Sequence, residues 1–135
     1  MKAVLMSVIG EAREVEVDGD WKSLANAIGS EYIEVVRPHG FGPRDIQAGS
    51  PVLIVDEEGA MRGVKSINVG ASLLYGGPIY GAVLVLGEGM VDSGEGFDEP
   101  DLIGLEKVPP RSADGWVGYV NGLVQVLARA HGRDI

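Results

Sequence analysis

The chain has 135 residues, of which 45% are hydrophobic and none is cysteine, and its 20 acidic and 11 basic side chains give a net charge of −9. A core of useful size fits this length, and the missing cysteines exclude disulfides and thiolate chemistry. The acidic balance argues against binding to a nucleic-acid backbone. Short apolar runs predict neither a signal peptide nor a membrane span, so we expect a cytoplasmic protein.

In chain order, the first part of the sequence predicts short strands around one helix. Residues 2–9 and 12–17 are typical of a β-hairpin with one solvent-exposed face. The carboxylates of the DGD stretch at 18–20 offer an N-cap to a helix over residues 21–28, which Gly29 would end. Further strands are predicted at residues 32–37, 52–55, 61–64 and 79–86.

The excess negative charge is concentrated after these strands. Residues 88–106 contain seven acidic and no basic side chains, whereas residues 1–87 carry −4 and residues 107–135 carry +2. Like charges repel one another, and the glycines and Pro100 of this segment disfavour both helix and strand. We interpret residues 88–110 as an acidic loop or linker that follows a core domain at residues 1–87.

A C-terminal helix is predicted within residues 111–135. Val117, Val120, Val124 and Leu127 share one helical face, which predicts docking on the core or on a partner. The glycines 118 and 122 weaken the isolated helix, and they could let a second copy of the chain approach. The pattern as a whole predicts an α+β fold: a mixed, mainly antiparallel sheet of five or six strands, with one helix after the first hairpin and one at the C-terminus.

The segment NVGASLLYGGPIYGAVLVLG at residues 68–87, together with KAVL, REVEVDGDWKSL, YIEVVR and VLIVDEEG before it, resembles the domain of unknown function 3846. The resemblance covers roughly residues 1–87, and residues 88–135 and the RPHGFGPRD stretch depart from the family pattern. This family has no assigned activity. The resemblance implies the context of a bacteriophage or another mobile element and the role of an accessory protein.

The RPHGFGPRD stretch is a candidate ligand-binding loop. Arg37, His39 and Arg44 place two guanidiniums and an imidazole in a loop rich in glycine and proline, and such groups can hold a phosphate or a carboxylate. The alternative is a structural one. Arg37 and Arg44 would then pair with Asp45, Glu34 or the acidic segment.

A second candidate combines Asn68 and Tyr75 with Tyr80 and the GGP turn at residues 76–78. Amide and phenol groups can recognise a small polar ligand by hydrogen bonding and stacking. The alternative is that Asn68 caps or turns the chain and that the tyrosines pack with their hydroxyls at the rim.

Motifs for catalysis are not found. No glycine cluster is followed by the lysine of a phosphate-binding loop, and no serine stands in a Gly-x-Ser-x-Gly motif. The two histidines are far apart in sequence and no cysteine could complete a zinc site. We predict a protein without enzymatic activity, metal or cofactor.

Two hypotheses of function follow. The first is an acidic module that binds a host or phage protein, with a possible homo-oligomer through the C-terminal helix. Its candidate contact residues are Asp92, Glu95, Asp98, Glu99, Asp101, Trp116 and Tyr119. The second is a protein that binds a small anionic or nucleotide-like molecule. Its candidate residues are Arg37, His39, Arg44, Asn68 and Tyr75.

Overall fold

The computed structural model describes residues 1–62, 66–92, 94 and 98–132. Within these residues, one antiparallel sheet of six strands is combined with three α-helices, so the predicted α+β fold is confirmed. The elements in chain order are β1 (Lys2–Met6), β2 (Ala12–Glu16), α1 (Trp21–Ile28), β3 (Ile33–Val36), β4 (Ser50–Asp56), α2 (Val69–Tyr75), β5 (Val83–Asp92), β6 (Asp98–Ile103) and α3 (Gly115–Ala130). Short 3₁₀ turns occur at His39–Phe41, Gly59–Arg62 and Leu105–Lys107.

The strand order is β2-β1-β5-β4-β3, and β5 is the long central strand. Its first part pairs with β1, and β4 pairs with residues 84–88 of it. Residues 87–92 of β5 pair with β6. Because residues 87 and 88 pair with both β4 and β6, β6 must lie on the side of β5 away from β4. Within the described residues, the outer edge of β6 pairs with no strand.

Both faces of the sheet are covered, because alternate residues of a strand point to opposite faces. Leu84 and Leu86 pack with α1, whereas Val83 and Val85 pack with α2 and α3. Burial on both sides explains why β4 and the first part of β5 are apolar at consecutive positions. The C-terminal helix was predicted to dock either on the core or on a partner, and in the structure it docks on the core. Its buried residues are Trp116, Val120, Val124 and Ala128.

Local capping sets the helix ends. Helix α1 has the predicted bounds: Asp20 Oδ1 accepts a hydrogen bond of 2.9 Å from the backbone N of Ser23, and Gly29 closes the helix with a φ of 71°. Helix α2 was not predicted. It begins after Asn68, whose Oδ1 accepts from the backbone N of Ala71 at 3.1 Å, and it ends at Gly76 with a φ of 91°. At such a helix end, glycine adopts the left-handed backbone conformation at little cost in free energy.

Two predicted strands differ from the structure. The segment predicted as a strand at 61–64 is part of a 3₁₀ turn at residues 61–62, and residues 63 and 64 lie outside the described part. The strand predicted from residue 79 begins only at Val83. Residues 79–82 turn back onto α2 instead, because Ile79 N donates to Ser72 Oγ at 2.9 Å and Gly81 has a φ of 79°.

The prediction of a linker at residues 88–110 is wrong over residues 88–92 and 98–103, which form a β-hairpin. Strand β5 crosses the boundary predicted at residue 87. Glycine allows this, because a Cβ atom at Gly87 or Gly89 would come within 2.9 or 2.8 Å of the Ile103 side chain. Gly87 and Gly89 therefore do not break the strand; they leave room for the side chain of Ile103 from the neighbouring strand β6. We call residues 88–103 the acidic hairpin.

None of the described helices is long and apolar enough to cross a membrane.

Candidate functional site

Arg37, Arg44 and Glu88 form a cluster where β3 ends and β4 begins. Arg37 follows β3, Arg44 follows the 3₁₀ turn at His39–Phe41, and Glu88 lies on β5 opposite Ser50 of β4. Arg37 donates from Nε to Glu88 Oε1 at 3.1 Å and from Nη2 to Oε2. Arg44 donates from Nε to the same Oε1 at 2.7 Å. One carboxylate therefore holds two guanidiniums.

The three side chains differ strongly in exposure. Only 6% of the Glu88 side chain is exposed, against 48% for Arg37 and 42% for Arg44. Burial raises the pKa of Glu88, but the hydrogen bonds from Arg37 and Arg44 outweigh it and leave the pKa below its ordinary value. The hydrogen bond to Glu88 raises the pKa of Arg37. The buried carboxylate is thus ionised, and the two positively charged guanidiniums lie beside it.

This cluster shows the ion pairs that the structural interpretation of the loop arginines predicted. Arg37 and Arg44 pair with the acidic segment, as the structural alternative required, and their partner is Glu88 rather than Asp45 or Glu34. Asp45 instead accepts from the backbone N of Ala48 at 3.2 Å. The arginines are separated from Glu88 by 51 and 44 positions in the chain, so no local pattern could identify this partner.

The other candidate ligand residues do not join the arginines. His39 is exposed and lies near Gly76, the residue after α2: a Cβ atom added to this glycine would be 3.7 Å from Cδ2 of His39. Asn68 is 1% exposed and uses its amide inside the fold. Its Nδ2 donates to the carbonyls of Met6 at 3.1 Å and Gly81 at 3.0 Å. Asn68 is therefore a structural residue, and its assignment to a ligand site is wrong.

Tyr75 is half-buried and lines a groove of about 270 Å³ beside the edge strand β3. The same groove is lined by Tyr80 and by three acidic residues: Glu34, Asp56 and Glu57. Carboxylates repel an anion, so this groove is unsuited to the anionic ligand for which Tyr75 was a candidate. The five candidate residues are thus divided among separate places, and only Arg37 and Arg44 are brought together.

The two aromatic candidates for partner contact pack within the fold. Trp116 is 7% exposed and meets Tyr119 edge to face, with ring centroids 5.5 Å apart. Tyr119 stacks on Phe41 at 6.2 Å, and the Arg111 guanidinium lies 5.9 Å from its ring. Arg111 also donates to the Phe41 carbonyl at 2.6 Å. Trp116 is therefore a core residue, and half-buried Tyr119 fixes the His39–Phe41 turn to α3.

The acidic candidates are exposed where the structure describes them. Asp92, Glu99 and Asp101 are exposed, whereas Glu95 and the side chain of Asp98 lie outside the described part. Asp92 Oδ1 accepts from the backbone N of Gly94, and Asp101 Oδ1 from that of Leu102. Among the described residues, none of these three forms an ion pair.

A further acidic residue near the hairpin has a structural role that sequence reasoning missed. Glu106 Oε2 accepts a hydrogen bond of 2.7 Å from the backbone N of Lys2, at the start of β1. It joins the segment after β6 to the first strand of the sheet. Its charge, like that of Glu88, is thus used within the fold and not by the exposed part of the acidic hairpin.

No protein-family model matches the chain, and neither a curated protein nor a solved structure matches it.

Proposed function

We propose that the chain is a non-enzymatic accessory protein that binds a basic surface of a host or phage protein through the acidic hairpin. The observation that carries the proposal is the separation of charges at this hairpin. Its buried carboxylate, Glu88, is neutralised by two arginines, whereas Asp92, Glu99 and Asp101 are exposed and form no ion pair with any residue that the structure describes. The residues 88–103 contain six acidic and no basic side chains.

The pairing of β5 with β6 gives these charges a fixed arrangement. Six residue pairs hold the two strands in register, from Gly87 with Ile103 to Asp92 with Asp98. A fixed set of charges of one sign attracts a basic partner over roughly a Debye length, about 8 Å at physiological salt, and raises the rate of encounter. The unfavourable repulsion among the carboxylates is relieved when a cationic surface binds, which favours the complex.

The exposed acids have a competing structural explanation. An open sheet edge can pair with another chain, and charged residues and proline on an edge strand prevent such pairing. Strand β6 has these features, because it contains Glu99, Pro100 and Asp101 and, in the described part of the chain, pairs with β5 alone. Under this explanation, removal of the charges causes self-association, with no loss of a partner.

The test uses two variants of equal charge. In the hairpin variant, Asp92, Glu95, Asp98, Glu99 and Asp101 are changed to Asn or Gln, which keeps the side-chain oxygens that accept hydrogen bonds. Glu88 and Glu106 stay unchanged because they hold the fold. In the control variant, five exposed acids elsewhere are changed to amides: Glu11, Asp18, Glu31, Glu57 and Glu58. Removing five negative charges from −9 brings both variants to −4.

Wild type and both variants are immobilised, exposed to a lysate of a candidate host, and the bound proteins are quantified by mass spectrometry. We expect at least one protein that wild type and the control variant retain and that the hairpin variant loses. The proposal fails if the three baits retain the same proteins. Self-association of the hairpin variant with an unchanged set of bound proteins would assign the acids to edge protection.

A further inference from the structure

Arg44 is not needed to neutralise Glu88. Arg37 alone forms a bidentate ion pair with both carboxylate oxygens, which neutralises the charge of Glu88 and gives each oxygen a hydrogen-bond donor. Arg44 adds a second guanidinium to an oxygen that already accepts a hydrogen bond. The cluster therefore contains two positive charges for one negative charge, and one positive charge is in surplus.

The surplus charge lies at the surface with hydrogen-bond donors to spare. Within the described residues, Nη1 and Nη2 of Arg44 and Nη1 of Arg37 donate to no protein atom. Because both Nε atoms donate to the same oxygen, at 3.1 and 2.7 Å, they lie within about 6 Å of each other. Nearly half of each arginine side chain is exposed.

Anchoring by Glu88 favours ligand binding because it reduces the mobility of both side chains before a ligand arrives. Long arginine side chains lose rotamer freedom when they bind, and a buried carboxylate that already holds their Nε atoms lowers this cost. Two guanidiniums that approach from different segments suit a tetrahedral dianion, which accepts from both, better than a singly charged carboxylate, which one guanidinium satisfies.

We propose that Arg37 and Arg44 form a binding site for the phosphate group of a small molecule. Glu88 belongs to the acidic hairpin, but this site does not use the exposed acids of that hairpin and does not depend on that proposal. Glu88 is its positioning residue: it holds the two arginines and does not touch the ligand. His39, Asn68 and Tyr75 have no part in it.

The test measures the melting temperature of the full chain and the affinity for inorganic phosphate, with chloride at equal ionic strength as the reference. At a phosphate concentration ten times Kd, we expect the Tm of the wild type to rise by about 5 °C. Arg44→Gln, which leaves the pair of Arg37 and Glu88 in place, is expected to weaken binding at least tenfold. Arg13→Gln, an exposed arginine on β2 and of equal charge change, is the control and is expected to bind as the wild type does.

Glu88→Gln separates a binding role from a purely structural one. Removal of the carboxylate charge frees both arginine side chains, so we expect a lower Tm without phosphate and a smaller Tm rise with it, whereas a purely structural Glu88 would lower the Tm and leave the rise unchanged. The proposal is overturned if phosphate binds no tighter than chloride, or if Arg44→Gln retains wild-type affinity. Equal weakening in Arg44→Gln and Arg13→Gln would also overturn it, because it would indicate attraction by net charge alone.

Discussion

Asn68 offers a sharp test of the fold, because one side chain joins three elements. Its Oδ1 caps α2 at the backbone N of Ala71, and its Nδ2 donates to the carbonyl of Met6 at the end of β1 and to that of Gly81 before β5. Asn68→Ala removes an N-cap worth about 1 kcal/mol and leaves two carbonyls without their donor, at about 1 kcal/mol each. We expect the free energy of unfolding to fall by about 3 kcal/mol.

Urea unfolding measures this change directly. With a urea slope of about 1.5 kcal/mol/M, a loss of about 3 kcal/mol lowers the midpoint by about 2 M. Asn68→Ser retains an oxygen that can cap α2, and we expect it to recover about 1 kcal/mol of that loss. A loss below about 1 kcal/mol for Asn68→Ala would refute the reasoning, because it would mean that water replaces the amide at both carbonyls.

Three further changes test other parts of the structure. Because the pKa of Glu88 is below its ordinary value in the folded protein, its contribution to stability is present above about pH 4.5 and is lost as the pH falls through the lowered value. Glu88→Gln should therefore cost about 2 kcal/mol at pH 7 and less at pH 3, by urea unfolding, and a gap that stays constant with pH would contradict this. Gly40→Ala should cost about 1 to 3 kcal/mol, because its Cβ would lie 2.9 Å from the Leu74 carbonyl oxygen, whereas Gly122→Ala on α3 meets nothing within 4 Å and should stabilise by up to about 1 kcal/mol. Equal effects of the two glycine changes would contradict the packing of the His39–Phe41 turn on α2. The hairpin variant should unfold within about 0.5 kcal/mol of the wild type in a thermal melt, because its described acids are exposed, and a loss above about 2 kcal/mol would show that they hold the fold.

Local signals predicted the elements whose ends are set by neighbouring residues. Asp20 and Gly29 fix both ends of α1 through contacts within one or two turns, so its bounds follow from the sequence. Helix α2 had the same kind of signals in Asn68 and Gly76, but its seven residues are too few to show a clear helical period. It was missed for that reason.

Long-range contacts account for what the sequence did not show. Glycines such as Gly87 and Gly89 predict a break in a strand, and only the positions of Val108 and of Ile103 on β6 explain why glycine fits within β5. The partner of Arg37 and Arg44 depends on the register of β4 with β5, which places Glu88 opposite Ser50. Sequence reasoning identified these arginines as a candidate site, but it could not separate them from Asn68 and Tyr75.

The most direct measurement of the proposed function is the dissociation constant of a partner identified by capture, determined at 0.15 M salt for the wild type and the two variants. The account predicts at least tenfold weaker binding by the hairpin variant and less than a twofold change for the control variant. Equal weakening of both would show that net charge alone attracts the partner, and it would contradict the assignment of the acidic hairpin as the binding surface.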